Sequence, residues 1–200
     1  MQILENTLHL LLFDLGAQQN KIQSIRLLPA LLAEWSGLEE SVFRLEKDHK
    51  KKPFFVENAL KGVSVSISHT ANWLSCAIYA EQHIGVDIER TDRKANLKLA
   101  ERYFAQDEVA YLFSNAASEY CFIRLWTLKE SFGKAMGVGI NQVVLATSFL
   151  TLLLQKQDSG YLNTTTEQSY WMQYEELLEE RLILSYCSSK HPTKVVLEKL

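Results

Sequence analysis

Residues 118–136, "SEYCFIRLWTLKESFGKAM", read as one long helix stopped by Gly137-Val138-Gly139. That helix stands between two stretches that read mostly as strands, and this constrains the fold more than any other feature. Upstream the pattern predicts a strand, a helix and three strands. Two shorter helices then lead into the long one, and four strands follow it. Such an order predicts α+β packing, with sheets covered by helices and two half-sized lobes meeting near residue 86.

Leu8–Leu15 predicts a strand ending at Gly16. Leu27, Leu28, Leu31 and Leu32 fall at helical spacing within Gln23–Trp35. Pro29 interrupts that run, and a proline is tolerated best in a first turn, so the helix is expected to begin near Leu28. "VSVSIS", 63–68, alternates apolar and hydroxylated residues as a half-buried strand does. Trp73–Ala80 and His83–Ile88 predict two more strands joined by a short Ala-Glu-Gln turn. Asn96–Phe104 and Asp107–Phe113 predict helices. After the long helix, Val143–Leu154, Gly160–Thr165, Ser169–Tyr174 and Leu182–Cys187 predict strands, with Glu175–Arg181 an acidic interruption.

A formal net charge of −3 supplies no global basic field, so non-specific nucleic-acid binding is not expected. An anionic ligand would need a local patch, and "EKDHKKKP", 46–53, is the most basic short run. Cys76, Cys121 and Cys187 are odd in number and form no CxxC, which predicts reduced thiols in a cytoplasmic protein. The apolar run Leu8–Phe13 is too short to span a bilayer and lacks a basic leader, so no membrane partner is expected.

In "IGVDIER", 84–90, Asp87 and Glu89 are two apart and share one strand face, while Val86 and Ile88 turn to the other. Paired carboxylates repel unless a cation sits between them, and a hard cation such as Mg²⁺ takes such oxygens. By themselves they read equally as a solvated strand end tethered by Arg90. Glu130 and Lys134 are i,i+4 neighbours on the long helix, with Trp126 one turn earlier. That is a surface charge pair, or a third carboxylate and a lysine for phosphoryl chemistry. "SISHT", 66–70, is a polar strand end or a set of phosphate-binding groups. No GxSxG elbow occurs, which argues against a serine hydrolase.

Taken together, "IGVDIE" (84–89), "WTLKESFGK" (126–134), Ser68-His69 and Lys51-Lys52-Pro53 resemble, in order and separation, the motifs of the 4′-phosphopantetheinyl transferases. The resemblance is to the two-lobed monomeric type and runs over residues 50–137. It implies a pseudo-twofold pair of similar α/β lobes, 1–85 for coenzyme A and 86–200 for the metal and the carrier, with the active site in the cleft between them. By resemblance Asp87, Glu89 and Glu130 hold Mg²⁺. Lys134 contacts the coenzyme A pyrophosphate and assists the leaving group. Lys52, Ser68 and His69 bind the 3′-phospho-ADP portion, and Lys129 stabilises the acidic site or touches phosphate. Glu130 or a water is the expected base, and Trp126 a core anchor. Lys51 stands where the family usually has glycine, which predicts a different loop shape.

The implied reaction moves the phosphopantetheine arm onto a serine of an apo carrier protein, so this chain needs no nucleophile of its own. Carriers of this kind are acidic helical bundles. Residues 90–102 carry Arg90, Arg93, Lys94, Lys98 and Arg102 against Asp92 and Glu101, a local net of +3. That segment is expected to steer the carrier, or is simply a solvated amphipathic helix. Two alternatives use the same residues: a Mg²⁺-dependent nucleotide phosphohydrolase, and a non-catalytic carrier-binding module.

Overall fold

The structure is a computed structural model that describes residues 6–16, 21–80, 83–154, 159–163 and 169–200. Its fold is α+β, with two sheets, as the order of elements predicts. The first sheet holds β1 (Thr7–Asp14), β2 (Leu45–Lys47), β3 (Pro53–Phe55), β4 (Ser64–Thr70), β5 (Trp73–Tyr79) and β10 (Lys194–Lys199), in the order β10-β1-β5-β4-β3-β2. The second holds β6 (Ile84–Arg90), β7 (Ser159–Asn163), β8 (Ser169–Leu177) and β9 (Leu182–Ser188), in the order β6-β9-β8-β7. Neighbours run antiparallel except β1 and β10, which are parallel.

Strand alternation builds the layers. Leu8, Leu10 and Leu12 of β1 meet Ile84, Val86 and Ile88 of β6 in a core between the two sheets. Leu11 and Phe13 turn the other way, onto helix α1 (Lys21–Ser36), where Leu28 and Leu32 close a second core. On the outer face of the second sheet, Tyr170, Met172 and Ile183 pack under α4 (Ser118–Met136) and its neighbours. These are α2 (Ala100–Tyr103), α3 (Gln106–Ser114), α5 (Gln142–Ala146) and α6 (Leu150–Leu154). The order through the molecule is helix, sheet, sheet, helices.

Several boundaries differ from expectation. Helix α1 does not start at Leu28 but runs through Pro29. A mid-helix proline costs about 3 kcal/mol, while burying Leu28 and Leu32 returns roughly 1.5–3 kcal/mol each, so packing wins. Val143–Leu154 is not a strand but the two short helices α5 and α6. The Asn141 side chain accepts from Val144 N at 3.1 Å to start α5, and Val144 and Phe149 are buried against α4. Asn96–Phe104 forms a 3₁₀ turn at Leu97–Leu99 before α2. β8 continues through the acidic interruption to Leu177. β2, β3 and β10 are strands that the sequence pattern does not announce. Residues 81–82 of the expected turn and 164–165 of an expected strand lie outside the described residues. No described helix is long and apolar enough to cross a membrane.

Candidate active site

Gly85 fixes the geometry. A Cβ there would lie 1.9 Å from Ser131 O and 2.5 Å from Ala135 N, so α4 rests directly on β6, backbone against backbone. The same strand face carries Asp87 and Glu89, which therefore stand under α4 as the i,i+2 spacing predicts. Lys134 reaches down from the helix. Its Nζ donates to Asp87 Oδ1 at 2.8 Å and to Val86 O at 2.9 Å. Ser68 Oγ donates to the same Oδ1 at 2.6 Å. Asp87 Oδ2 is buried and accepts no hydrogen bond among the described residues.

The hydroxyls of β4 explain its alternation. Ser66 Oγ accepts from Val86 N at 3.0 Å, Ser68 meets Asp87, and Thr70 Oγ1 donates to Glu89 Oε2 at 3.3 Å. The polar face of this strand thus meets β6 rather than water. His69 takes the opposite face, with Val65 and Ile67. Glu89 also accepts from Arg93. Glu130 sits half-buried on α4, one turn before Lys134.

Beyond Lys134 the helix ends in a glycine-lined turn. A Cβ at Gly133 would lie 2.5 Å from Gly139 O, and Gly137 takes the left-handed conformation that closes the helix. Gly133, Gly137 and Gly139 form one side of a cleft of roughly 600 Å³. Its other wall is the β2–β3 hairpin, which brings Lys47, Lys50, Lys51 and Lys52 to the cleft that Lys134 also lines. Glu46 is the one acid among the described residues of that lining. Asp48 organises the hairpin tip: its Oδ1 accepts from Lys50 N at 2.9 Å and Lys52 N at 2.8 Å. Lys51 takes a left-handed backbone, φ 63°, a conformation that glycine adopts without strain. Burial holds Lys52 below the ordinary lysine pKa, with Asp48 partly offsetting that effect. Such a lining favours an anionic group over a neutral one.

Of the residues expected at the site, Lys52 and Lys134 line one cleft, Lys134 and Ser68 both bond Asp87, and Glu89 shares the strand face of Asp87. Lys129 is different. Its Nζ is fully buried, 2.8 Å from Glu108 Oε2 and 2.7 Å from Thr147 O, and it packs between the Phe104 and Phe149 rings. A side chain so enclosed reaches no coenzyme in the cleft, which corrects the expected phosphate contact. Trp126 stacks in line with Phe122 and Phe104. Ser66 and Thr70 lie in the polar strand end read as phosphate-binding groups, but meet β6 instead, and Glu108 was missed. Ser66 and Thr70 carry the signal of standing two residues either side of Ser68. Glu108 carries none.

Among the described residues no three His, Cys, Asp or Glu side chains are gathered tightly enough to hold a metal ion. Carboxylate oxygens are nonetheless the donor type that a hard cation takes. Two carboxylates share the β6 face beneath α4, a third stands on α4, and Asp87 keeps a buried oxygen without a partner.

A family model described as the 4′-phosphopantetheinyl transferase superfamily matches residues 83–187. The chain is 36% identical over 104 residues to 4′-phosphopantetheinyl transferase gsp of Aneurinibacillus migulanus, covering 51% of this chain and 40% of that one. It is 32% identical over 117 residues to 4′-phosphopantetheinyl transferase Sfp of Bacillus subtilis, covering 58% and 50%. It is 30% identical over 118 residues to 4′-phosphopantetheinyl transferase HetI of a Nostoc species, covering 57% and 50%. The chain spans about half the length of the curated relatives it matches.

Proposed function

The chain belongs to the 4′-phosphopantetheinyl transferase superfamily, and from that premise we propose that it moves the phosphopantetheine arm of coenzyme A onto a serine of an apo acyl or peptidyl carrier protein. The observation that carries this reading is the lysine-lined cleft of roughly 600 Å³, which Lys134 joins to the carboxylates beneath α4. A diphosphate ester bound there meets positive charge along one wall and metal-binding oxygens at the end.

In the proposed reaction the carrier serine oxygen bonds to the β-phosphorus. The phosphoanhydride bond breaks, and adenosine 3′,5′-bisphosphate leaves with the electron pair. Glu130, half-buried on α4, accepts the serine proton. Asp87, Glu89 and Glu130 would hold Mg²⁺, which when bound would neutralise charge on the pyrophosphate. Lys134 keeps an N–H beyond its two bonds to β6 and offers it to the leaving 5′-phosphate. Ser68 holds Asp87 in place from β4. Lys52 binds a phosphate of the 3′-phospho-ADP end. His69, two residues beyond the cleft-lining Ile67 on the same strand face, extends toward that end.

The same proposal keeps two lobes, but a break between residues 85 and 86 would cut β6 (Ile84–Arg90), so the second lobe begins with that strand, and β10 returns to the first. The acidic carrier approaches along residues 90–102. Arg90 is paired with Asp92 and Arg93 with Glu89, so Lys94, Lys98 and Arg102 are the more available cations there. We place the enzyme in the cytoplasm as a monomer, in keeping with its buried free cysteines.

Intact-protein mass spectrometry tests this directly. An apo carrier incubated with the protein, coenzyme A and Mg²⁺ should gain the mass of one phosphopantetheine arm, and Glu130→Ala should abolish the gain. Coenzyme A cleavage without carrier modification would favour the phosphohydrolase. Coenzyme A binding with no modification of several carriers would favour the non-catalytic module.

A further inference from the structure

Lys51 has the left-handed backbone of a glycine position, φ 63°. Ala71 and Arg181 show similar positive φ at the tips of other hairpins, so strain alone marks no site. The place of Lys51 does. It tips the β2–β3 hairpin that walls the lysine-lined cleft, between Lys50 and Lys52 and across from Lys134.

The hairpin tip has little else to offer an anion. Lys50 N and Lys52 N both donate to Asp48 Oδ1, and Lys51 N donates to Asp48 O at 2.9 Å. The three successive amides are turned inward, so the loop cannot cradle phosphate with its backbone. Its lysine side chains, which line the cleft, are what remains to meet an anion. Lys52 is half-buried and costly to charge, whereas Lys50 and Lys51 are exposed. Glycine would satisfy this backbone without Cβ conflict, yet would leave the cleft mouth one cation poorer.

We propose that Lys51 is a phosphate-binding residue of the cleft, a side chain whose charge adds affinity and selectivity for a diphosphate ester. This rests on the coenzyme A reading of the same cleft. A solvent-screened ammonium touching phosphate is expected to contribute about five- to tenfold in affinity. Its charge should also steepen the dependence of binding on salt.

Calorimetric titration separates charge from strain. Wild-type protein, Lys51→Gly and Lys51→Gln are each titrated with inorganic pyrophosphate and with coenzyme A at two ionic strengths. Both variants should bind both ligands about five- to tenfold more weakly, with a shallower salt dependence. Lys51→Gly should melt no lower than wild type, and about 2–4 °C higher if the relieved strain outweighs its unfolded-state entropy. Affinities of both variants within twofold of wild type, for both ligands, overturn the proposal, as does a wild-type protein that binds neither. Lys51-dependent pyrophosphate binding without any carrier modification sinks the transferase reading while leaving the Lys51 assignment standing.

Discussion

Lys129 and Lys134 share helix α4, and each ammonium stands 2.8 Å from a carboxylate oxygen. Yet the Lys129–Glu108 pair is 0% exposed on both sides, while Lys134 is 28% exposed and Asp87 7%. The first pair is used up. Glu108 Oε2 also accepts from Ala105 N, and Oε1 accepts from Phe149 N at 2.8 Å. Lys129 spends its remaining donors on Thr147 O and Val144 O. Together they tie the start of α3, the middle of α4 and the α5–α6 link into one unit. The second pair keeps an unpartnered buried oxygen on Asp87 and a spare N–H on Lys134, at the end of a cleft. Equal distances therefore conceal opposite roles. A pair with every valence filled holds structure, and a pair with valences left over can receive a ligand.

The largest expected effect comes from breaking the sealed pair. Lys129→Ala strands a carboxylate in a dry site and should cost roughly 3–5 kcal/mol of stability, read from urea unfolding. Replacing both partners, Lys129→Met with Glu108→Leu, should recover only part of that loss. The amides of Ala105 and Phe149 would then lose their acceptor. A cost below about 1 kcal/mol for Lys129→Ala would mean that water enters the site, and the contrast with Lys134 would collapse.

The open pair should respond in the other currency. Lys134→Ala removes a half-open partner whose place water can take, so stability should fall by about 1 kcal/mol or less. Carrier modification should drop about 10²–10³-fold if the ammonium meets charge developing on the leaving 5′-phosphate. Equal stability losses for Lys129→Ala and Lys134→Ala would show that both pairs are structural.

These two lysines also mark the limit of what the sequence discloses. Helix α4 was legible to the residue, because Gly137 is the left-handed stop that helices of this kind need. Asp87 and Glu89 were legible because period two puts them on one face. Lys129 was misassigned because its partner, Glu108, lies on another helix and no local spacing predicts their meeting. α5 and α6 were hidden for a related reason. Their Val- and Leu-rich run favours strand locally, and only Asn141 capping and burial of Val144 and Phe149 against α4 make it helical. β10 pairs with β1 from the far end of the chain, a non-local contact that its own six residues do not encode. The cleft lay between these cases: its lysines were visible as a basic run, but not that Gly133, Gly137 and Gly139 would form the facing wall.

The smallest expected effect sharpens the contrast by adding a third lysine, Lys52, intermediate in burial. Burial lowers its pKa below the ordinary 10.5, and Asp48 only partly restores it. Between the lowered value and the ordinary one, the unfolded chain binds more protons than the folded one. Stability contributed through this group must therefore rise as pH rises through that window, and the full penalty is present below it. A phosphate ligand favours the charged form, so binding in that window should take up a fraction of a proton. Affinity should fall as pH climbs through the folded-state pKa. Calorimetry of pyrophosphate binding in two alkaline buffers of different ionisation enthalpy measures the uptake. Wild-type protein should show it and Lys52→Met should not. Uptake that survives the substitution would assign the proton to another lysine of the cleft, and Lys52 would then join Lys129 as a charge spent on structure.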